Sequence, residues 1–279
     1  MLQRILTGAA LVIAFIPLTL FSHTALFIVF AALCSVIGVH EMLSCTSQIK
    51  QRFIAIPALI YAALGPLLSR TRFATAYGVL LSISLVFLFY LLFIHVFKSD
   101  KINTRDIAVV FMTSVYITVS FTSIVRVRDI PEFGIYLHLL IFIGACITDV
   151  FAYFGGFLFG KHKLCPQVSP KKTVEGAVCG TIFCTLCFVL YSFILSRITE
   201  MRPNYIIIAL IGAFISVISQ LGDLAASAIK RDYGIKDYGK LFPGHGGILD
   251  RFDSILAVAP FLFILTGNPE FINVFNQIV

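Results

Sequence analysis

Long apolar runs alternate with short polar segments along the chain, and this pattern predicts a membrane protein built of α-helices. A helix of roughly 20 apolar residues crosses a bilayer core. The continuous apolar character excludes a transmembrane β-barrel, whose strands show a weaker alternating pattern. The predicted fold class is therefore all-α, a polytopic bundle of about nine transmembrane helices at residues 5–21, 25–44, 54–69, 74–97, 106–125, 134–158, 175–196, 205–228 and 249–267.

Composition and charge agree with this pattern and predict an orientation. The chain is 59% hydrophobic with a mean hydropathy of +0.97, well above a soluble domain. With a cytoplasmic N-terminus, 15 of the 21 Lys and Arg residues fall on the cytoplasmic side, as the positive-inside rule requires. The net charge of +7 then reflects topology and anionic partners, phosphate or lipid headgroup, and we expect no nucleic acid partner. The first run lacks a small-residue cleavage site, so we expect it to be a retained helix.

The two parts of the chain differ in their polar content. Residues 1–128 form the predicted N-terminal transmembrane helices, where Glu41 is the only acid before Asp100. We interpret Glu41 as an interfacial cap or pairing group, with a role near a lipid headgroup as the alternative. Residues 129–279 form the predicted catalytic half, with the nucleotide and metal loops facing the cytoplasm and intramembrane acids at Asp149 and Asp223.

The segment 227–253 concentrates charge beside a membrane helix. It holds nine of the 35 charged residues in the chain, and such groups are costly unless they are functional. Asp223, Ser227 and Lys230 share one helical face, so a cation should meet the carboxylate of Asp223. Asp250 and Asp253 share a face at the start of the last helix, where the helix dipole favours acids even without a function.

A glycine-rich turn, Pro-Gly-His-Gly-Gly at 243–247, directly precedes Asp250. Glycines let a backbone approach a ligand and present N–H groups, as phosphate-binding loops do at helix starts. Carboxylates are hard oxygen ligands suited to Mg²⁺. A site for phosphate and a divalent metal therefore explains both signs of charge, with the cations supplied by Lys230, Arg231, Lys236, Lys240 and Arg251.

A second polar segment, 169–175, has a similar composition. Two lysines and two hydroxyl groups precede a helix whose first turn carries Glu175. One interpretation is helix capping with a cytoplasmic positive cluster, and the other is a second phosphate or nucleotide contact. His162 and His245 lack partners at metal-ligand spacing, so we expect them to bond to phosphate or backbone.

The segment 227–253 resembles the signature of the phosphatidate cytidylyltransferases, the membrane-bound CDP-diacylglycerol synthases. It reads S-x-I-K-R, then K-D four residues later, then F-P-x-H-G-G and D-R-F-D, without a mismatch over 27 positions. The segments 169–176 and 220–223 and the N-terminal Gln-Arg-Ile-Leu-Thr-Gly are also similar to that family. One departure follows Asp149, where Val150 and Phe151 replace the small polar residue and glycine common in the family, which weakens a ligand role for Asp149.

The resemblance implies transfer from CTP to phosphatidic acid, giving CDP-diacylglycerol and pyrophosphate, with Mg²⁺ as cofactor. It further implies a homodimeric, multi-pass protein of the inner or plasma membrane whose active site faces the cytoplasm and takes its lipid substrate from the membrane. By matching position, the implied metal ligands are Asp223 and Asp250, and the implied catalytic set is Asp223, Asp250, Lys230 and Arg251. The implied substrate-binding set is Ser169, Lys171, Lys172, Thr173, Glu175, Ser227, Arg231, Lys236, Asp237, His245, Gly246 and Gly247.

Three alternatives stay open from the residues. An ion-coupled transporter also uses intramembrane acids, although it should show corresponding interruptions in two related halves, which this chain lacks. A CTP-dependent lipid kinase would use the same nucleotide and metal but transfer the γ-phosphate. A non-catalytic scaffold would respond to neither nucleotide nor metal.

Overall fold

The computed structural model describes residues 17–70, 76–199, 202–242, 244 and 246–266. Within these ranges the chain forms eight α-helices, which are α1 (Ala25–Cys45), α2 (Arg52–Leu68), α3 (Ala76–Phe97), α4 (Thr104–Arg128), α5 (Gly134–Phe159), α6 (Val174–Ile198), α7 (Tyr205–Asp232) and α8 (Leu249–Thr266). A short 3₁₀ helix, Gln48–Lys50, lies between α1 and α2. Two short strands, β1 (Lys163–Cys165) and β2 (Ser169–Thr173), lie between α5 and α6.

The all-α, polytopic prediction is confirmed. Six of the described helices, α1 and α3 to α7, are long and apolar enough to cross a membrane, and α2 is a shorter apolar helix. The helix α8 begins close to the predicted residue but carries Asp250, Arg251 and Asp253 in its first turns. Most of the first predicted span, residues 5–16, lies outside the described residues, as does the N-terminal motif. The count of nine spans therefore stays a prediction.

Local sequence signals explain where two of the helices begin. At the start of α4, the Asp106 N–H donates to Asn103 Oδ1 (2.8 Å) and the Asn103 N–H donates to Asp106 Oδ2 (3.2 Å), forming a capping box. At the start of α6, the Gly176 N–H donates to the hydroxyl of Thr173 (3.2 Å). These caps satisfy N–H groups that have no partner within the first turn of a helix.

The strand pair was not predicted, because the polar residues between α5 and α6 show no alternation of apolar and polar positions. The strands β1 and β2 are antiparallel, with Lys163 opposite Thr173 and Cys165 opposite Ser169. An isolated two-stranded hairpin is marginally stable in water. Here the hairpin is supported by contacts with the end of α5 and the start of α6.

The chain divides into two compact units. The first unit comprises Met1–Ile130 and Asp232–Phe252. In it, α4 packs against α1, α2 and α3, and its buried residues include Ile117, Phe121 and Val125. Directly before the start of α1, the backbone carbonyls of residues 22–24 accept hydrogen bonds from the guanidinium of Arg70, which also binds Asp129.

The second unit comprises Pro131–Arg231 and Asp253–Val279. Its described core is the α5 and α6 pair, to which α7 is joined by buried polar contacts. The Thr148 hydroxyl donates to Ser216 Oγ (3.0 Å), and Gln220 Nε2 donates to Thr181 Oγ1 (3.1 Å). The helix α8 contributes residues 249–252 to the first unit and its remaining residues to the second. The functional division predicted at residue 128 stays a prediction.

Candidate active site

An ion pair connects the polar segment 169–175 to the helix that leads into the segment 227–253. Lys172 Nζ, on β2, lies 2.5 Å from Asp223 Oδ2, on α7, and both side chains are about a quarter exposed at 26% and 24%. The Ser227 hydroxyl, one turn further along α7, donates to Asp223 Oδ1 (3.4 Å). The cation that the Asp223 carboxylate requires therefore comes from the hairpin, and the predicted shared face of Asp223 and Ser227 is present.

Further carboxylates of the second unit lie near Asp223. Asp253, in α8, interacts electrostatically with Asp223, Asp149 and Lys230. The Ser254 hydroxyl donates to Asp149 Oδ2 (2.9 Å), which holds that carboxylate beside Asp253. Asp253 was not in the predicted site set, although its position three residues after Asp250 was a usable signal. The structure also gives Asp149 a defined hydroxyl partner despite the departure from the family pattern that follows it.

The hairpin residues are held mainly by local contacts. Thr173 is buried and caps α6, so the capping interpretation applies to its hydroxyl. Glu175, in the first turn of α6, lies 2.6 Å from Nδ1 of His162, and the His162 N–H also donates to it (3.2 Å). The histidine thus pairs with a side-chain carboxylate, which differs from the phosphate or backbone partner expected. Arg231 Nε donates to the Val168 carbonyl (3.5 Å), a second connection between α7 and the hairpin.

In the first unit, the carboxylate of Asp250 organises the signature loop. The N–H groups of Tyr238 (2.8 Å) and Gly247 (2.9 Å) both donate to Asp250 Oδ2. Asp250 is 7% exposed and stands in the first turn of α8. Its carboxylate therefore closes the loop from 238 to 250 onto the helix that follows.

The next two N–H groups bind a carboxylate from a distant part of the chain. The N–H of Ile248 donates to Glu41 Oε1 and the N–H of Leu249 donates to Glu41 Oε2, each at 2.9 Å. Three consecutive N–H groups, from Gly247 to Leu249, thus donate to the protein's own carboxylates. This corrects the phosphate-cradle interpretation for these groups, because the positive end of α8 is neutralised from within the protein. The sequence indicated Glu41 as a cap or pairing group, but it did not identify the amides of Ile248 and Leu249 as the groups that Glu41 binds.

The remaining predicted site residues differ in exposure. Lys230 is nearly buried at 9%, whereas the side chains of the other predicted phosphate ligands are exposed. Ser169 is half-buried at the start of β2. Gly246 has a positive φ of 83° and its carbonyl accepts from the Phe242 N–H (2.9 Å), so it turns the loop. His245 lies outside the described residues, and the exposed predicted residues are Lys171, Arg231, Lys236, Asp237 and Arg251.

The carboxylates of the predicted metal ligands, Asp223 and Asp250, suit Mg²⁺ only if phosphates of the substrate complete its coordination. Among the described residues, no group of three or more His, Cys, Asp or Glu side chains is arranged to hold a metal ion. Mg²⁺ usually binds through one or two carboxylates together with water and substrate phosphates, so a dense protein cluster is not required. The carboxylate of Asp223 offers hard oxygen ligands of the kind that Mg²⁺ takes, and its two oxygens meet the ammonium of Lys172 and the hydroxyl of Ser227 in the structure.

Comparison with known proteins decides the family. A sequence model described as the cytidylyltransferase family matches residues 2–267. The chain belongs to this cytidylyltransferase family. A phosphatidate cytidylyltransferase from Bacillus subtilis (strain 168) is 35% identical over 269 residues, covering 95% of this chain and 97% of its own length. Proteins of the same name from Staphylococcus haemolyticus (strain JCSC1435) and Staphylococcus aureus (strain COL) are each 34% identical over 94% of this chain and 97% of their own length.

Family membership makes this cytidylyltransferase a CTP-dependent nucleotidyltransferase, as predicted. It also agrees with the resemblance found in the signature segment. The contact between Lys172 and Asp223 joins two of the segments that resemble the family, 169–176 and 220–223.

Proposed function

We propose that this enzyme is a phosphatidate cytidylyltransferase, which converts CTP and phosphatidic acid to CDP-diacylglycerol and pyrophosphate. The relatives that cover nearly the whole chain carry that name. The structural observation that carries the proposal is the ion pair between Lys172 and Asp223, because it joins two of the segments that resemble the family, 169–176 and 220–223. A site of this kind needs cations for phosphate beside carboxylates for a metal.

The proposed reaction is an in-line displacement at phosphorus. A phosphate oxygen of phosphatidic acid forms a bond with the α-phosphorus of CTP while the bond from that phosphorus to the bridging oxygen breaks, and pyrophosphate leaves. The attacking phosphate is ionised near neutral pH, so no strong general base is needed. The protein's task is to position two anions that repel each other and to offset their charge.

We assign the residues to these tasks by their chemistry. Lys172 would exchange its contact with Asp223 for the triphosphate, and Lys230 would hold a phosphate from a nearly buried position. Exposed Arg231, Lys236 and Arg251 would add charge at the surface. Asp223 and Asp250 would hold Mg²⁺, which when bound offsets the charge of the triphosphate. The other proposed contacts to substrate are Ser169, Lys171, Thr173, Glu175, Ser227, Asp237, His245 and Gly246.

We further propose that the site faces the cytoplasm of the inner or plasma membrane. The excess of Lys and Arg on the side of the two polar segments supports this orientation. A site at the membrane surface would meet a water-soluble nucleotide and a lipid held in the bilayer. A homodimer is proposed from the family resemblance.

The test is a product assay with purified protein in detergent. CTP labelled at the α-phosphorus, incubated with phosphatidic acid and Mg²⁺, should give labelled CDP-lipid together with unlabelled pyrophosphate. EDTA should stop the reaction if Mg²⁺ takes part. Absence of CDP-lipid from a monodisperse, thermally stable preparation would overturn the proposal.

The same assay separates the alternatives. A CTP-dependent lipid kinase would leave the α-label in CDP and transfer the γ-phosphate of CTP to a lipid. A transporter or scaffold would form neither product.

A further inference from the structure

We propose that Glu41 is a positioning residue of the active site, which holds the start of α8 and the signature loop from inside helix α1. The proposal rests on the proposed function, because the segment it orients carries Asp250 and Arg251. It assigns a role in the reaction to a residue that lies far from the signature in the sequence.

The contact is bidentate and buried. Glu41 is 6% exposed, and its two carboxylate oxygens each accept one backbone N–H at 2.9 Å, from Ile248 and from Leu249. Hydrogen bonds to an ionised acceptor are stronger than neutral ones. Two such bonds on consecutive amides define both the position and the direction of the chain as it enters α8.

The surrounding backbone is shaped around this carboxylate. A Cβ atom added to Gly247 would meet the oxygens and Cδ of Glu41, and one added to Gly239 would meet Oε1 of Glu41. A Cβ atom added to Gly38, one turn before Glu41, would come within 3.1 Å of the Leu249 side chain. The loop therefore approaches Glu41 as closely as glycine allows, and Leu249 packs against the same part of α1.

This arrangement differs from ordinary helix capping. The helices α4 and α6 are capped by Asn103 and Thr173, the residues that immediately precede them. The start of α8 instead receives its acceptor from a residue 207 or more positions away. A local cap would stabilise the helix wherever it lay, whereas Glu41 also specifies where the helix begins relative to α1.

The consequence for the reaction follows from the next residues. Asp250 accepts from the N–H groups of Gly247 and Tyr238, so its carboxylate belongs to the same bonded segment that Glu41 holds. Loss of the Glu41 contact would let this segment shift. A shift of about 1 Å in a catalytic group can reduce turnover by about 100-fold.

The decisive variant is Glu41→Gln, which keeps the size of the side chain. Its amide retains one acceptor oxygen but turns an NH₂ group towards the second backbone N–H. We expect kcat for CDP-lipid formation to fall by about 10- to 100-fold, the range found when partners of metal ligands are removed, with KM for CTP changing less than threefold. Amide hydrogen exchange in peptides covering 238–252 should accelerate at least about tenfold.

Asp129→Asn is the matched control. It also removes a partly buried carboxylate of the first unit, but one whose partner is Arg70. We expect it to lower thermal stability without accelerating exchange in 238–252 or lowering kcat. An equal fall of kcat in both variants at equal loss of stability would overturn a positioning role, because stability alone would then explain the effect.

The outcomes separate this inference from the proposed function. Inactive wild-type protein would contradict the function, whereas active wild type with an equally active Glu41→Gln variant and unchanged exchange would overturn only the role of Glu41. If Glu41→Gln does not fold, Gly239→Ala crowds the same carboxylate while keeping its charge, and the same two changes are expected. Unchanged kcat and exchange in Gly239→Ala would then overturn the inference.

Discussion

Lys172 on β2 and Asp223 on α7 form an ion pair at 2.5 Å that connects the hairpin to the helix leading into the signature segment. The proposed function assigns Lys172 to the triphosphate of CTP and Asp223 to Mg²⁺. Each serves as the other's counter-charge in the structure described.

Lys172→Ala should reduce activity by removing both the counter-charge of Asp223 and a proposed triphosphate contact. We expect kcat/KM for CTP to fall by about 100-fold or more, with most of the change in KM if Lys172 binds the triphosphate in the ground state. Steady-state assays of CDP-lipid formation measure this. Lys163→Ala, in the neighbouring strand and exposed, is the control and should retain activity. Equal activity of the two variants would remove Lys172 from the site.

Asp250→Asn should abolish turnover while leaving the protein folded. The amide oxygen can still accept from the N–H groups of Tyr238 and Gly247, but the negative charge proposed to bind Mg²⁺ is gone. Loss of a metal contact worth several kcal/mol corresponds to a fall of about 10³-fold or more. Activity is measured over a Mg²⁺ titration and folding by thermal unfolding in detergent.

Asp106→Asn is the control for Asp250→Asn, because Asp106 is the first-turn acid of α4 and belongs to a capping box. It should cost stability but not activity. Mg²⁺-dependent synthesis at the wild-type rate by Asp250→Asn would exclude Asp250 as a metal ligand.

Gly247→Ala should destabilise the protein because its new methyl group would occupy the space of the Glu41 carboxylate. Overpacking of this kind costs about 1–3 kcal/mol. The same change should cost much less in a Glu41→Ala background, where the obstructing group is absent. A double-mutant cycle on thermal stability measures the coupling, and simple additivity of the two changes would show that the contact has no energetic consequence.

Arg70→Ala should lower stability without impairing the reaction. The guanidinium makes two 2.6 Å contacts with Asp129 and also donates to the backbone carbonyls of Ser22 and Thr24. Loss of hydrogen bonds to a charged group costs about 1.5–3 kcal/mol. Lys should not replace Arg here, because an ammonium cannot form the planar two-point contact. Chemical denaturation measures the stability of Arg70→Ala and Arg70→Lys. The variant for comparison is Arg197→Ala, because the guanidinium of Arg197 lies over the Phe193 ring.

Between residues 25 and 266, the predicted helix ranges agree with the structure because their signal is local. An apolar run can satisfy its backbone in lipid only as a helix, so the prediction of 134–158 lies close to the observed α5 and that of 205–228 close to α7. The strand pair escaped prediction because its pairing depends on support from α5 and α6, which the local sequence does not encode.

In the candidate site too, local signals were predictable and contacts between distant residues were not. The charge pattern of the signature and the rule that a buried carboxylate needs a counter-charge predicted that Asp223 would meet a cation. They did not identify Lys172 as that cation, because the partner lies on a strand that was not predicted. The glycine-rich turn correctly indicated close approach of the backbone, but the group approached is Glu41, where a phosphate had been expected.

By itself, the sequence determined that this protein is an all-α membrane protein and which segments resemble a cytidylyltransferase, because hydrophobic length and short motifs are properties of contiguous residues. Only the tertiary structure decided which charged and polar groups meet. Glu41 binds the amides of Ile248 and Leu249 from more than 200 residues away, and no spacing rule relates them. That contact exists because a buried carboxylate and the unsatisfied N–H groups at the start of a helix both need a partner, and the packing of α1 brings them together.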